Sequence, residues 1–321
     1  MDGVRQFAEE IAGKIKGCLP EGHREACEIV ETTKINGVPV TGIRFGNPGD
    51  ETAAVVYMEP YLDNHRAGMT MDEIIADIVG KVEECVAVST DGRDFRYAKD
   101  FLSPALINTA ANREMLRHLP HVEIEDLSLI CQMLIPLEDG QGTIPVAKEQ
   151  LRKWGVGKET LFGQAFENMR PSYTLQETET YEKEVIIGIR QDNLLEIPEN
   201  CTPCDKQRAS GTGEGKIFVL SNRTRRYGAA ALACPDVMGK VCGLLPEGFY
   251  IVPSSIHECL VVQKAKGLTR KHLERWMKET GEKSLVEPQE KLSDHIYEYD
   301  REKKSIRLAA KEPDKGRGME R

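Results

Sequence analysis

Residues 251–262 read IVPSSIHECLVV, two apolar runs flanking the interruption Pro253-Ser254-Ser255-Ile256-His257-Glu258. Short runs rich in Val and Ile, broken by Pro and Ser, predict two strands joined by a turn. The same interruption holds hydroxyls, an imidazole and a carboxylate, so it is also a candidate nucleophile with its base. In an extended chain Ser255 and His257 share one face, roughly 7 Å apart in Cα, while Ser254, Ile256 and Glu258 face away. Glu258 is then poorly placed to orient His257, and no glycine supplies the sharp elbow on which a serine nucleophile sits. A turn whose serines bond local backbone accounts for the segment. Catalysis by Ser255, His257 and Glu258 stands as the alternative.

Working outward, KIFVLSN (216–222) predicts a strand, GAAALACPDVMGKVCGLL (228–245) a helix bent at Pro235, TRKHLERWMKET (269–280) a helix, and IYEYDREKKSIRLA (296–309) a hairpin. Together these predict a C-terminal mixed sheet with flanking helices. Before the first helix, Ser221-Asn222-Arg223-Thr224-Arg225-Arg226-Tyr227-Gly228 puts three arginines at the end of a strand. Guanidinium groups beside a helix start can hold an anion, and a solvated charge cluster is the plainer reading. Asn222, Arg223, Arg226 and Ser254 are the candidate ligand or partner contacts.

In the N-terminal half, Val4, Phe7, Ile11, Ile15 and Leu19 recur at helical spacing. ACEIVETTKINGVPVTGIRF (26–45) carries Asn36-Gly37 between alternating segments, a hairpin signal. AAVVYMEPYL (53–62) predicts a strand, 70–88 a helix and SPALINTAANREMLRHL (103–119) another helix, with Pro104 in its first turn. LSLICQMLIPL (127–137) fits a buried strand turning back into TIPVA (143–147), and KEQLRKWGVGKETLFGQAFENM (148–169) a pair of short helices about a glycine corner. The fold class is therefore α+β: an N-terminal helix and hairpin region, a central short helix pair, and the C-terminal sheet. The composition shifts place an N-terminal region at 1–170, a connecting segment at 171–215, a C-terminal region at 216–310 and a frayed tail at 311–321.

Composition narrows the function. The 321 residues include 43 Lys plus Arg against 52 Asp plus Glu, a formal net charge of −9. That balance repels phosphate backbones and does not predict a nucleic-acid partner. No apolar run approaches the roughly 20 residues of a spanning helix, and the N-terminus lacks a signal-peptide pattern, so the expected location is cytoplasmic with no membrane partner. Nine cysteines at irregular spacing argue for reduced thiols over a disulfide framework. Cys201-Thr202-Pro203-Cys204 supplies half a metal or redox site, but no second pair follows at zinc spacing. His118 and His121, with Glu123, Glu125 and Asp126 after them, could ligate a metal or be surface groups. No cofactor motif is present: GTGEGK lacks the Gly-Lys-Ser/Thr ending of a P-loop.

Several phrases taken together resemble the bacterial domain-of-unknown-function family 5688. They are Asn36-Gly37-Val38 with YMEPYL, LINTAANREML with LPHVEIEDLSLI, the helix pair at 148–169, FVLSN with YGAAAL, YIVPSSIHE, and LSDHIYEYDREKKSI. The specific positions include Asn108, Asn112, Pro120, His121, Asp126, Leu127, Trp154, Ala165, Asn168, Ser221, Asn222, Gly228, Ala229 and Pro253 to Glu258. The resemblance implies an intracellular protein of low-GC Gram-positive bacteria and brings no reaction with it. Cys201 and Cys204 fall outside its pattern; the PSSIHE phrase falls inside it. The sequence therefore predicts a non-enzymatic binding or regulatory protein with an unidentified protein or small-molecule partner. A hydrolase-like or small-ligand-binding role at Ser255 and His257 is the alternative.

Overall fold

The computed structural model describes residues 2–19, 27–46, 53–87, 94–137, 140–179, 193–196, 216–281 and 286–310. In chain order the strands are β1 (Cys27–Thr33), β2 (Pro39–Phe45), β3 (Ala54–Tyr57), β4 (Leu102–Asn108), β5 (His121–Ile124), β6 (Leu127–Leu137) and β7 (Gly140–Pro145). They continue with β8 (Tyr173–Glu177), β9 (Ile217–Asn222), β10 (Phe249–Pro253), β11 (Cys259–Gln263), β12 (Tyr297–Asp300) and β13 (Ser305–Leu308). With the helices between them these make an α+β fold. Two units divide the chain: 1–103 with 132–164, and 104–131 with 165–321.

In the first unit, β1 and β2 pair antiparallel from Cys27↔Phe45 to Thr33↔Pro39. The turn between them forms because Asn36 and Gly37 both take positive φ, 65° and 69°, a conformation these two residue types tolerate. β3 adds to β2. The helix Asp2–Ile15 lays Phe7, Ile11 and Ile15 on a core shared with Ile43, Phe45, Met58, Ile74 and Ile78. The expected strand at 53–62 is shorter. It stops at Tyr57, and Glu59–Arg66 is a helix whose first turn accepts Pro60, where no N–H is needed. Residues 132–137 pair with β7.

The predicted helix at 103–119 is a correction. Leu102–Asn108 is a strand with both faces covered, and helix begins only at Arg113. Pro104 biases Ser103 toward extended backbone, and a doubly buried strand reads as an apolar run that periodicity cannot separate from a helix. β5 was missed, and so was β8, which occupies the start of the segment expected to be a connection.

The second unit is built on a six-stranded sheet in the order β13-β12-β10-β11-β9-β8. Every pairing in it is antiparallel, so the expected mixed sheet is corrected. β9, the helix Pro235–Leu244 and β10 form a strand–helix–strand unit whose two strands run parallel, as the order in sequence suggests. They never touch as neighbours. The hairpin closed by residues 254–258 returns β11 into the gap between them, making a split strand–helix–strand unit. The stretch IVPSSIHECLVV thus sets the sheet's strand order.

Both faces of this sheet are covered. Phe218, Leu220, Ile251 and Val261 are fully buried, and Val252, Val262 and Ile296 pack with Leu273 of the helix Arg270–Gly281. Among the described residues, the side chain of Asn193 caps the outer edge of β8. Asn193 accepts from Leu175 N–H and donates to Tyr173 C=O, both at 3.0 Å, mimicking a further strand.

Candidate functional site

The turn 254–258 is not extended, so strand alternation does not govern it. Its hydroxyl is committed locally: Ser255 Oγ accepts from His257 N–H at 3.0 Å, and Ser255 N–H donates to Glu258 C=O at 3.0 Å. Ser255 is buried, at 5% exposure, while Ser254 and Glu258 are half-buried. The imidazole of His257 points elsewhere. Its Nδ1 accepts from Tyr227 N–H at 3.0 Å, and its Nε2 faces Glu290 Oε1 at 3.4 Å. Since Nδ1 is an acceptor, the neutral ring carries its proton on Nε2, toward the carboxylate. Ser255 and His257 are brought together through backbone and hydroxyl, not hydroxyl and imidazole. The carboxylate beside the ring is Glu290, from a distant segment, and not Glu258.

The arginine-rich loop is the other half of this corner. Buried Asn222 organises it: Nδ2 donates to Arg226 C=O at 2.7 Å, while Oδ1 accepts from Arg226 N–H at 3.2 Å and from Thr224 Oγ1 at 2.9 Å. Arg225 and Tyr227 adopt left-handed φ of 54° and 55°. Each such non-glycine residue costs about 1–3 kcal/mol and persists only where its surroundings fix it. Here Asn222 and His257 supply that fixation, and the Tyr227 ring meets the His257 ring edge-on at 5.5 Å. Ser221 Oγ donates to His257 C=O at 2.9 Å, and Ile256 N–H donates to Glu290 C=O at 2.7 Å. Arg223 is exposed and paired with Glu196 at 2.5 Å; Arg226 is exposed.

A second polar cluster in the same unit was not anticipated. Asp126 sits at the tip of the hairpin between β5 and β6, where Glu125 takes φ 57°. Its Oδ2 accepts from Ser293 Oγ at 2.8 Å and His295 Nδ1 at 2.9 Å, and its Oδ1 from the hydroxyl of fully buried Tyr297. Burial pushes the Asp126 carboxyl up, but the hydrogen bonds from Tyr297, His295 and Ser293 outweigh it and hold the group below its ordinary value. Burial and the neighbouring Asp126 push the Tyr297 phenol up. The sequence signal was the alternation Ser293-x-His295-x-Tyr297, which in extended chain aims all three at one side. Residues 288–297 form a strap joining the two clusters, holding His257 by Glu290, Asn108 Nδ2 by Leu292 C=O at 3.2 Å, and Asp126 by Ser293, His295 and Tyr297.

Other candidates resolve differently. His121 Nδ1 meets Leu119 C=O at 2.9 Å, and its Nε2 lies 3.8 Å from Glu123, while His118 is exposed. Among the described residues no group of three or more His, Cys, Asp or Glu is placed to hold a metal. Cys201 and Cys204 lie outside the described residues. In the first unit the Tyr61 hydroxyl donates to Asp77, and Lys81 Nζ reaches Asp77 at 2.7 Å and the Tyr61 oxygen at 2.9 Å. Burial, then Asp77, pushes that phenol up to about 12, so it stays protonated and braces two helices. No helix of the described residues is long and apolar enough to cross a membrane.

No curated protein and no solved structure matches the chain. The model of a family of unknown function, DUF5688, matches residues 4–301, a span that contains Asn222, the PSSIHE turn, Asp126 and the whole strap. The chain belongs to that family.

Proposed function

We propose that the chain is a partner-binding protein of the cytoplasm, and that the 222–228 loop with the PSSIHE turn is its recognition surface, a corner with no catalytic role. The observation that carries this reading is the pair of left-handed residues, Arg225 and Tyr227, within three positions of one loop. Strain of this kind is held at sites that need a preset shape. A loop already ordered by Asn222 and His257 loses little freedom on binding. Three arginines within four positions, on a chain whose formal net charge is −9, suit an acidic surface on a protein partner. A nucleophilic Ser255 gains no support from its geometry, since its oxygen already accepts a backbone N–H.

The test replaces exposed Arg226 with the photo-cross-linker p-benzoylphenylalanine in cells, with exposed Lys14 as the control position. The expected result is a discrete adduct from position 226, lost when Asn222→Ala releases the loop. An identical pattern from both positions, or none from 226, contradicts the reading. Labelling of Ser255 by a fluorophosphonate would contradict it independently.

A further inference from the structure

We propose that His295 is a general base for the hydrolysis of small activated acyl esters, with Asp126 as its positioning residue. This goes beyond the binding role and uses none of the loop's residues.

Proton placement on the ring sets its role. His295 Nδ1 faces Asp126 Oδ2 at 2.9 Å, so the neutral ring carries its proton on Nδ1 and turns the Nε2 lone pair outward. The His295 side chain is 50% exposed, against 27% for Asp126, and Nε2 has no hydrogen-bond partner among the described residues. This is the reverse of His257, whose Nε2 is occupied by Glu290.

Asp126 is itself fixed. Ser293 Oγ and the Tyr297 hydroxyl donate to it, and Ser293 Oγ also accepts from His295 N–H at 3.0 Å, which sets the backbone that carries the ring. The carboxylate stays ionised and stabilises the imidazolium when Nε2 takes a proton. That is the division of labour between an orienting acid and a catalytic histidine. Among the described residues no serine hydroxyl lies on Nε2, so the nucleophile is water.

The step needs no co-reactant other than water. Nε2 takes a proton from water as the water oxygen bonds to the ester carbonyl carbon. The tetrahedral adduct then breaks its bond to the leaving oxygen, which receives the proton from Nε2. Ester and water become acid and alcohol, and the ring returns to its starting state.

The test uses the full chain and p-nitrophenyl acetate. Because general-base catalysis is worth factors of ten or more, wild-type hydrolysis is expected to exceed that of His295→Gln by at least about tenfold. His118→Gln, at an exposed histidine outside both clusters, is expected to retain the rate. Asp126→Asn keeps an oxygen for the Tyr297 hydroxyl but turns an amide N–H toward Nδ1. Its rate is expected to fall to the His295→Gln level while long-range 1H–15N NMR shows the ring proton moved to Nε2. Equal rates for wild type and His295→Gln overturn the proposal. A rate lost equally in His118→Gln also overturns it, while leaving the cross-linking result at 226 to be judged separately. An unchanged rate in Asp126→Asn, with the proton moved, overturns the positioning role.

Discussion

Gly228→Ala is expected to destabilise the second unit by about 3 kcal/mol, at the upper end of what one added methyl costs in a packed interior. A Cβ at this position would lie 2.6 Å from His257 O, 2.6 Å from Ser221 Oγ and 2.7 Å from Asn222 N. Two of these three atoms are backbone and cannot rotate away. The third is the hydroxyl that holds His257 C=O, so relieving the clash breaks the bond between the loop and the turn. A thermal or urea unfolding curve measures the loss. The control is Gly163→Ala, a helical position where an added Cβ meets nothing within 4 Å and where alanine is the better helix former. A Gly228→Ala protein as stable as wild type would mean that the two halves of the corner are not locked.

Asp126→Ala is expected to cost a comparable amount, about 2–4 kcal/mol, because it strips the acceptor from two buried hydroxyls at once. Tyr297 is fully buried and Ser293 5% exposed, so neither finds water in exchange. The same carboxylate gives the protein an acid limit. Its folded pKa is held below the ordinary value, so its contribution is fully present above about pH 4, the range of the unfolded carboxyl. That contribution is lost as pH falls through the lower folded value. Wild-type stability should therefore drop more steeply than that of Asp126→Ala as pH falls below about 4. Parallel curves for the two proteins would remove Asp126 from the acid response.

Much of the fold was legible because its elements are local. Asn36-Gly37 announced its hairpin through turn chemistry, and the helix 71–87 through its apolar spacing and the acids Asp72 and Glu73 in its first turn. β6 matched its expected bounds, Leu127–Leu137, because a long apolar run with Ile130 and Ile135 suits a strand buried on both faces. β4 failed for the same physical reason: a doubly buried run carries no period, and Asn112 before Arg113 looked like the interior of a helix when it is the residue preceding one. The site was legible only in part. Local spacing separated Glu258 from His257 in an extended chain, but the segment is a turn. The carboxylate that meets the ring, Glu290, is 33 positions away by the numbering and lies beyond any local rule. Asp126 and His295 stand 169 positions apart in the chain, and the folded strap joins them.

The measurement that bears most directly on this account is the proton position on two rings. Long-range 1H–15N NMR at a pH where the histidines are neutral distinguishes Nδ1–H from Nε2–H. The locked corner requires His257 to carry its proton on Nε2, with Nδ1 accepting from Tyr227 N–H. The strap requires the opposite for His295, whose Nδ1 donates to Asp126. Opposite tautomers at positions 257 and 295 are the predicted result. A proton on Nδ1 of His257 would break the link between the PSSIHE turn and the arginine loop, and contradict the account.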